Sequence, residues 1–452
     1  MVLVATHAVP FPTRAFLYDF RAFYCGASVA ASGHDPYLAE PLRTCEHAIG
    51  VPFRQDLAQL AVPVPLPGYA LLLLAPLARL PFAFAGGLWT LLELVALVVS
   101  AETIAAVSGL QRRTVWSALL LSVGFTSAVL GQLVPFAVAA LGLAARELVL
   151  DRPERAAAWA VCAMIEPHIG LPACLALAVW TARARPVLAS AAVILSIASL
   201  AFLGVARNLE YIVQVLPAHV LSEVANEEQY SLAYLVHLAG LNSQTAALAG
   251  NLSYVAAVAG GVALSGQLYR RGYSAALLVT VPAAIALIGG PFLHIQQVAV
   301  AIPAAAIIAG TTNSKMARVA LVLLAVPWGE FAELLVFAPI VVLVAGVLVG
   351  DLFAAPVRTS LLAGLCAAAA LILPFFDLVP RPDAAAAIEQ VAGATQLAEA
   401  TWRAFIEASY HQNEGTFLLA KLPTFAALLS LLLASWQVAQ RGALRNDTPA
   451  PG

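Results

Sequence analysis

At 452 residues, with 62% hydrophobic and 11% charged residues, the chain is not a soluble globular domain, in which about a quarter of residues carry charge. A formal net charge of −2 without any basic stripe excludes nucleic acid as a partner. A mean hydropathy of +0.88, with apolar runs of about 17–25 residues recurring along the length, predicts an all-α fold: a polytopic transmembrane helical bundle embedded in membrane lipids, because spanning helices satisfy their own backbone polar groups in lipid.

Met1 to Val9 is too short to span a bilayer and lacks the basic n-region of a signal peptide. The opening therefore reads as a chain that either starts after a lost first helix or has its start codon set late. Residues 10–66 are polar and contain prolines, with Arg14, Arg21, Arg43, Arg54, Glu40, Glu46 and Asp56. Phe16, Phe20, Phe23 and Tyr24 fall at helical spacing, which predicts short amphipathic helices lying on the membrane. Asp19 opens this stretch, either as a helix cap or as a chemical group. Cys25 and Cys45 share the same polar loop and form a candidate disulfide if that loop faces an oxidising compartment. Cys162, Cys174 and Cys366 lie in apolar sequence and read as small hydrophobes. No spacing of Cys or His suggests a metal site.

Apolar stretches follow near 67–80, 84–108, 114–131, 132–149, 156–165, 168–182 and 186–205. A polar loop covers 206–232, and further apolar segments lie near 250–268, 274–290, 292–310, 317–337, 338–350 and 357–375. A third polar segment, 377–415, contains a helix-like run from Ala384 to Tyr410, and a last span lies near 417–438. These make about 11–13 membrane segments, half-helices included, in a single domain over 1–440, with 441–452 as a disordered cytoplasmic tail.

Lys and Arg in short loops set orientation. Arg183 and Arg185, Arg270 and Arg271, Lys315 and Arg318, Arg358, and Arg441 and Arg445 all fall on the cytoplasmic side of one threading. That threading leaves 206–249, the turn Gly289-Gly290-Pro291 and 377–415 outside. Arg112–Arg113 and Arg146–Arg155 also belong inside, with too little chain between the sets for ordinary pairs of spans. Two arrangements fit: half-helices folding back at Gly131-Gln132 and at Glu166-Pro167-His168, or full spans with some arginines outside.

Charged groups at membrane depth cost at least about 2.5–3.5 kcal/mol on insertion scales, so those that remain have a partner or a purpose. Glu93, Glu102, Glu166, Glu330 and Glu333 qualify by position. Glu93 and Glu102 read as structural. Glu166 and His168 flank a helix breaker, a pattern that presents polar groups to a cavity. Gln132 suits an interhelical hydrogen bond. His294 follows Gly289-Gly290-Pro291 at a helix start and precedes Gln296 and Gln297, and helix starts favour anions such as phosphate.

The Asp-Phe-x-x-Phe-Tyr stretch at Asp19 to Tyr24, followed by Gly33-His34-Asp35-Pro36-Tyr37, resembles the first extracytoplasmic loop of the GT-C glycosyltransferases. More narrowly it resembles glycosyltransferase family 87, the polyprenol-phosphate-mannose-dependent mannosyltransferases. Pro65-Leu66-Pro67-Gly68-Tyr69, Ala75-Pro76-Leu77 and Gly131-Gln132 are similar too, whereas Glu166 stands where family members often carry Lys. The resemblance implies an inverting membrane glycosyltransferase with its active site on the extracytoplasmic face of the bacterial plasma membrane. It would transfer a hexose, mannose by this likeness, from a polyprenyl-phosphate sugar to a glycolipid or cell-envelope glycan acceptor. It implies Asp19 as general base and His294 on the lipid phosphate. Arg21, Arg54, Tyr24, Gln132, His168 and Gln297 complete the candidate donor-phosphate or substrate set, with no metal and no cofactor. The alternative is a transporter or flippase of a lipid-linked saccharide.

Overall fold

The computed structural model describes residues 17–50, 57–329, 338–371, 378–379, 384–393, 395–408, 411–412 and 414–445. Arg54, Glu330, Glu333 and residues 446–452 lie outside them. Within them the chain is helical, apart from one short antiparallel pairing of Leu378–Val379 with His411–Gln412 and the isolated bridge Leu38 to Leu397. Five helices are long and apolar enough to cross a membrane: Phe82–Ser108, Arg112–Leu130, Ala182–Glu223, Ser243–Arg270 and Leu418–Arg441. Six shorter apolar helices accompany them, among them Pro167–Trp180, Leu277–Ile288 and Ile295–Thr311. The last helix continues to Arg445, so the residues from 441 to 445, expected in a disordered tail, are helical.

Two hairpins occupy the region that the arginines left open. Arg112–Leu130 rises to Gly131, and Val134–Val149 returns. Pro153–Cys162 rises to Glu166, and Pro167–Trp180 returns. Gly131 adopts a left-handed conformation with φ 73°, and a Cβ there would stand 2.6 Å from Cβ of Phe20. Only glycine fits both the turn and the close approach. Glu166 is extended and followed by Pro, which takes the first helical position without losing a needed donor.

The feet of the hairpins are tied at the arginine-rich end. Arg113 donates to both carboxylate oxygens of Asp351 at 3.0 and 2.6 Å, and Thr114 donates to the same group at 2.7 Å. Arg183 donates to Glu154 at 2.7 Å, and the Arg270 guanidinium lies 4.7 Å from the centre of the Trp180 ring.

A third hairpin, Leu277–Ile288 and Ile295–Thr311, is the buried centre of the bundle. Its tip, Gly289 to His294, sits beside the second: Phe292 makes an edge contact with the His168 ring at 5.4 Å. Ser253 donates to the Gly289 carbonyl at 2.6 Å, and Gly250 packs against Pro291. Gly250 lies seven residues inside the helix beginning at Ser243, so the tip is recessed about 10 Å below that helix end.

The stretch 206–232, expected as a loop, is largely helical. Arg185–Glu210 runs through Tyr211–Val215 into Leu216–Glu223, bent at Gly204, where φ is 77°. The aromatic stripe of the helix Tyr18–Ala31 also departs from expectation. Phe20, Phe23 and Tyr24 are buried in protein rather than laid on lipid. Phe20 stacks on Trp89 at 4.7 Å and on Phe82 at 6.1 Å, because the first long span offers an aromatic surface at that height. Cys25 and Cys45 form a disulfide with Cα atoms 5.6 Å apart, fastening this helix to Ala39–Ala48. Above both lies Ala398–Ala408, held by Tyr37 O accepting from Ala398 N at 2.9 Å and Gln396 O accepting from Ala39 N at 2.8 Å.

Candidate active site

Asp19 stands in the first turn of the helix Tyr18–Ala31. The backbone beside it is pinned to the first hairpin tip, since Leu17 N donates to Val129 O at 2.6 Å. That register brings Asp19 to Gln132, whose side-chain amide donates to the Asp19 carboxylate. The carboxyl is deep in the protein yet keeps some accessible surface, as a group lining an internal space does. Burial pushes it up from the ordinary aspartate range to about 7, while His294 and the Gln132 hydrogen bond pull it down and Glu228 and Glu223 push it up further. Asp19, in the helix Tyr18–Ala31, and His294, at the third hairpin tip, therefore lie within each other's electrostatic field.

Glu166 and His168 come from the second tip, with His168 Nδ1 3.5 Å from the Glu166 carboxylate. Glu166 lies within the fields of both Asp19 and His294. His219 packs edge-on against Phe292 at 5.1 Å, so that ring has an imidazole on two sides. Gln297 accepts from the backbone N–H of His294 at 3.0 Å, and the His294 side chain caps the helix start in return, with Nε2 of the ring directed elsewhere.

That direction is toward Glu223, Asn226 and Gln229, which composition and spacing did not single out. The Glu223 carboxylate accepts from Asn226 at 2.8 Å, Gln229 at 2.7 Å and the Trp402 indole at 2.8 Å, with His294 Nε2 at 3.4 Å. Lys421, fully buried, donates to the carbonyls of Glu227 and Gln229 and lies 4.2 Å from the centre of the Tyr234 ring. It clamps the loop carrying Gln229 and Glu228 to the last helix. Their signal in the sequence was weak but present: Glu223, Asn226 and Gln229 recur every third residue after a helix.

Two candidates stand apart. Arg21 is two residues from Asp19 and so on the opposite side of its helix. Its guanidinium donates to Gly50 O at 2.8 Å and lies over the Phe82 ring at 4.9 Å. Tyr24 donates to Leu80 O at 2.8 Å, on the outer shell of that helix. Both side chains are engaged in holding this segment to its neighbours. Among the described residues no group of three His, Cys, Asp or Glu is arranged to hold a metal ion.

Comparison with known protein families, characterised proteins and solved structures finds no match for the chain.

Proposed function

We propose that the protein is a GT-C-type membrane glycosyltransferase that moves a hexose from a polyprenyl-phosphate sugar to a glycolipid or glycan acceptor on the extracytoplasmic face. The observation that carries this reading is that Asp19, a carboxyl raised to about 7, and His294, at a helix start 275 positions away in the chain, lie within one another's electrostatic field. Inverting transfer needs that pair. The acceptor oxygen attacks the anomeric carbon as its proton passes to Asp19, and the bond from that carbon to the phosphate oxygen breaks. The negative charge leaves on polyprenyl phosphate, where the His294 ring and the backbone N–H groups of its helix start stabilise it. Gln132 aims the Asp19 carboxylate by direct hydrogen bond. The recessed, protein-covered position also limits water, which would otherwise compete as acceptor.

The test is transfer of radiolabelled mannose from polyprenyl-phosphate mannose by the reconstituted protein. Asp19→Asn keeps the shape and removes the base, so transfer is expected to fall by about 100-fold or more while the protein still folds. Ordinary turnover in that variant would remove the assignment.

A further inference from the structure

The Gln229 side chain is oriented from both ends. Its carbonyl oxygen accepts from Leu293 N at 2.5 Å, so the amide nitrogen must point the other way. There it donates to Glu223 Oε2 at 2.7 Å and meets His294 Nε2 at 2.8 Å and Nδ1 at 3.4 Å. The same Glu223 oxygen is 3.4 Å from His294 Nε2. One ring nitrogen thus has a fixed donor and a fixed carboxylate acceptor as neighbours. An N–H group satisfies a bare imidazole nitrogen and repels a protonated one, and a carboxylate does the reverse.

We infer that Glu223 and Gln229 together hold the Nε2 position of His294 in either of two protonation states, Gln229 donating to it when bare and Glu223 accepting from it when protonated. Both are positioning residues acting through His294. The remaining charged and titratable groups around the ring are Asp19, Glu166, His168, His219 and Glu228, with Lys421 behind the Gln229 loop. Their charges bias the ring as a whole, whereas Glu223 and Gln229 touch the proton-bearing atom itself. Used on the proposed reaction, this arrangement lets His294 carry positive charge while the leaving phosphate is present and shed it afterwards. That use rests on the glycosyltransferase reading, but the holder does not.

The test is nitrogen NMR of the full chain in lipid nanodiscs with isotope-labelled histidine and no substrate. The chain has 8 histidines, and His294→Gln identifies the His294 signals by their loss. Glu223→Gln is expected to lower the titration midpoint of His294 by about one pH unit or more, and Gln229→Met to raise it by a similar amount. Shifts of opposite sign are the signature, since general loosening of the loop would move both variants the same way. If both move together, or neither moves, the inference is overturned. Should Glu223→Gln not assemble, Gln229→Met decides alone: an upward shift supports the holder, and an unchanged or lowered midpoint removes it. Absence of glycosyl transfer would count against the proposed function without touching this result.

Discussion

Gln132 donates its side-chain N–H to the carboxylate of Asp19 although 113 positions separate them. The hydrogen bond joins the tip of the first hairpin to the first turn of the helix Tyr18–Ala31. It also fixes the direction of the Asp19 carboxylate instead of leaving it free to turn.

Transfer should follow the ionisation of Asp19. Its carboxyl titrates at about 7, and a base works only when ionised. The rate is therefore expected to rise with pH through 7 and level off above it. The stability sign runs the other way: a carboxyl raised above its unfolded range favours the folded state when protonated, and that contribution is lost as pH climbs through 7. A pH–rate profile that is flat from about 5 to 8, where such a base would titrate, contradicts this.

Gln132→Leu removes a hydrogen bond that favours the charged form of Asp19. The midpoint of the pH–rate profile is expected to move up by about half a unit or more. Below the midpoint the variant should lose more activity than above it. Equal loss at every pH would mean that Gln132 only packs.

The disulfide between Cys25 and Cys45 closes the loop that carries the start of the outer segment. Cys25→Ser with Cys45→Ser is expected to cost about 2–4 kcal/mol, read as a lower unfolding temperature in detergent. Unchanged mobility of the wild-type protein on reducing and non-reducing gels, together with two titratable thiols in the outer loop, would show that the bond does not form.

Glu399 lies at the buried start of the helix Ala398–Ala408, and both its carboxylate oxygens lack a hydrogen-bond partner among the described residues. Burial pushes it up to about 8. Its folded-state pKa is raised, so its stabilising contribution is full below the ordinary glutamate range and is lost as pH rises through 8. Glu399→Gln should leave stability near pH 4 almost unchanged and gain at least about 1 kcal/mol near pH 9. Thermal unfolding at the two pH values checks the sign.

Much of this was legible in the sequence, and the reasons for the rest are physical. The arginine sets flanking 131 and 166 made turns at Gly131 and Pro167 one of two arrangements that the sequence allowed, and both positions are turns in the structure. Asp19 and His294 were legible because isolated polar groups beside helix breakers stand out in apolar sequence. Glu223, Gln229 and Trp402 were not, since each sits in a polar stretch where such residues are ordinary, and only folding reveals that Glu223 and Gln229 are buried and that the Trp402 indole donates to Glu223. Arg21 misled for the opposite reason. A cation next to the reactive aspartate in sequence is on the far side of it in a helix.

The recessed tips carry a consequence for how the molecule is made. In chain order Asp19 leaves the ribosome before its partner Gln132, His294 later, and Trp402 and Lys421 later still. A nascent chain therefore inserts its apolar hairpins one after another while each polar tip waits without its eventual neighbours. The polar cluster is complete only when the helix Ala398–Ala408 and the last span have joined it, through Trp402 and Lys421.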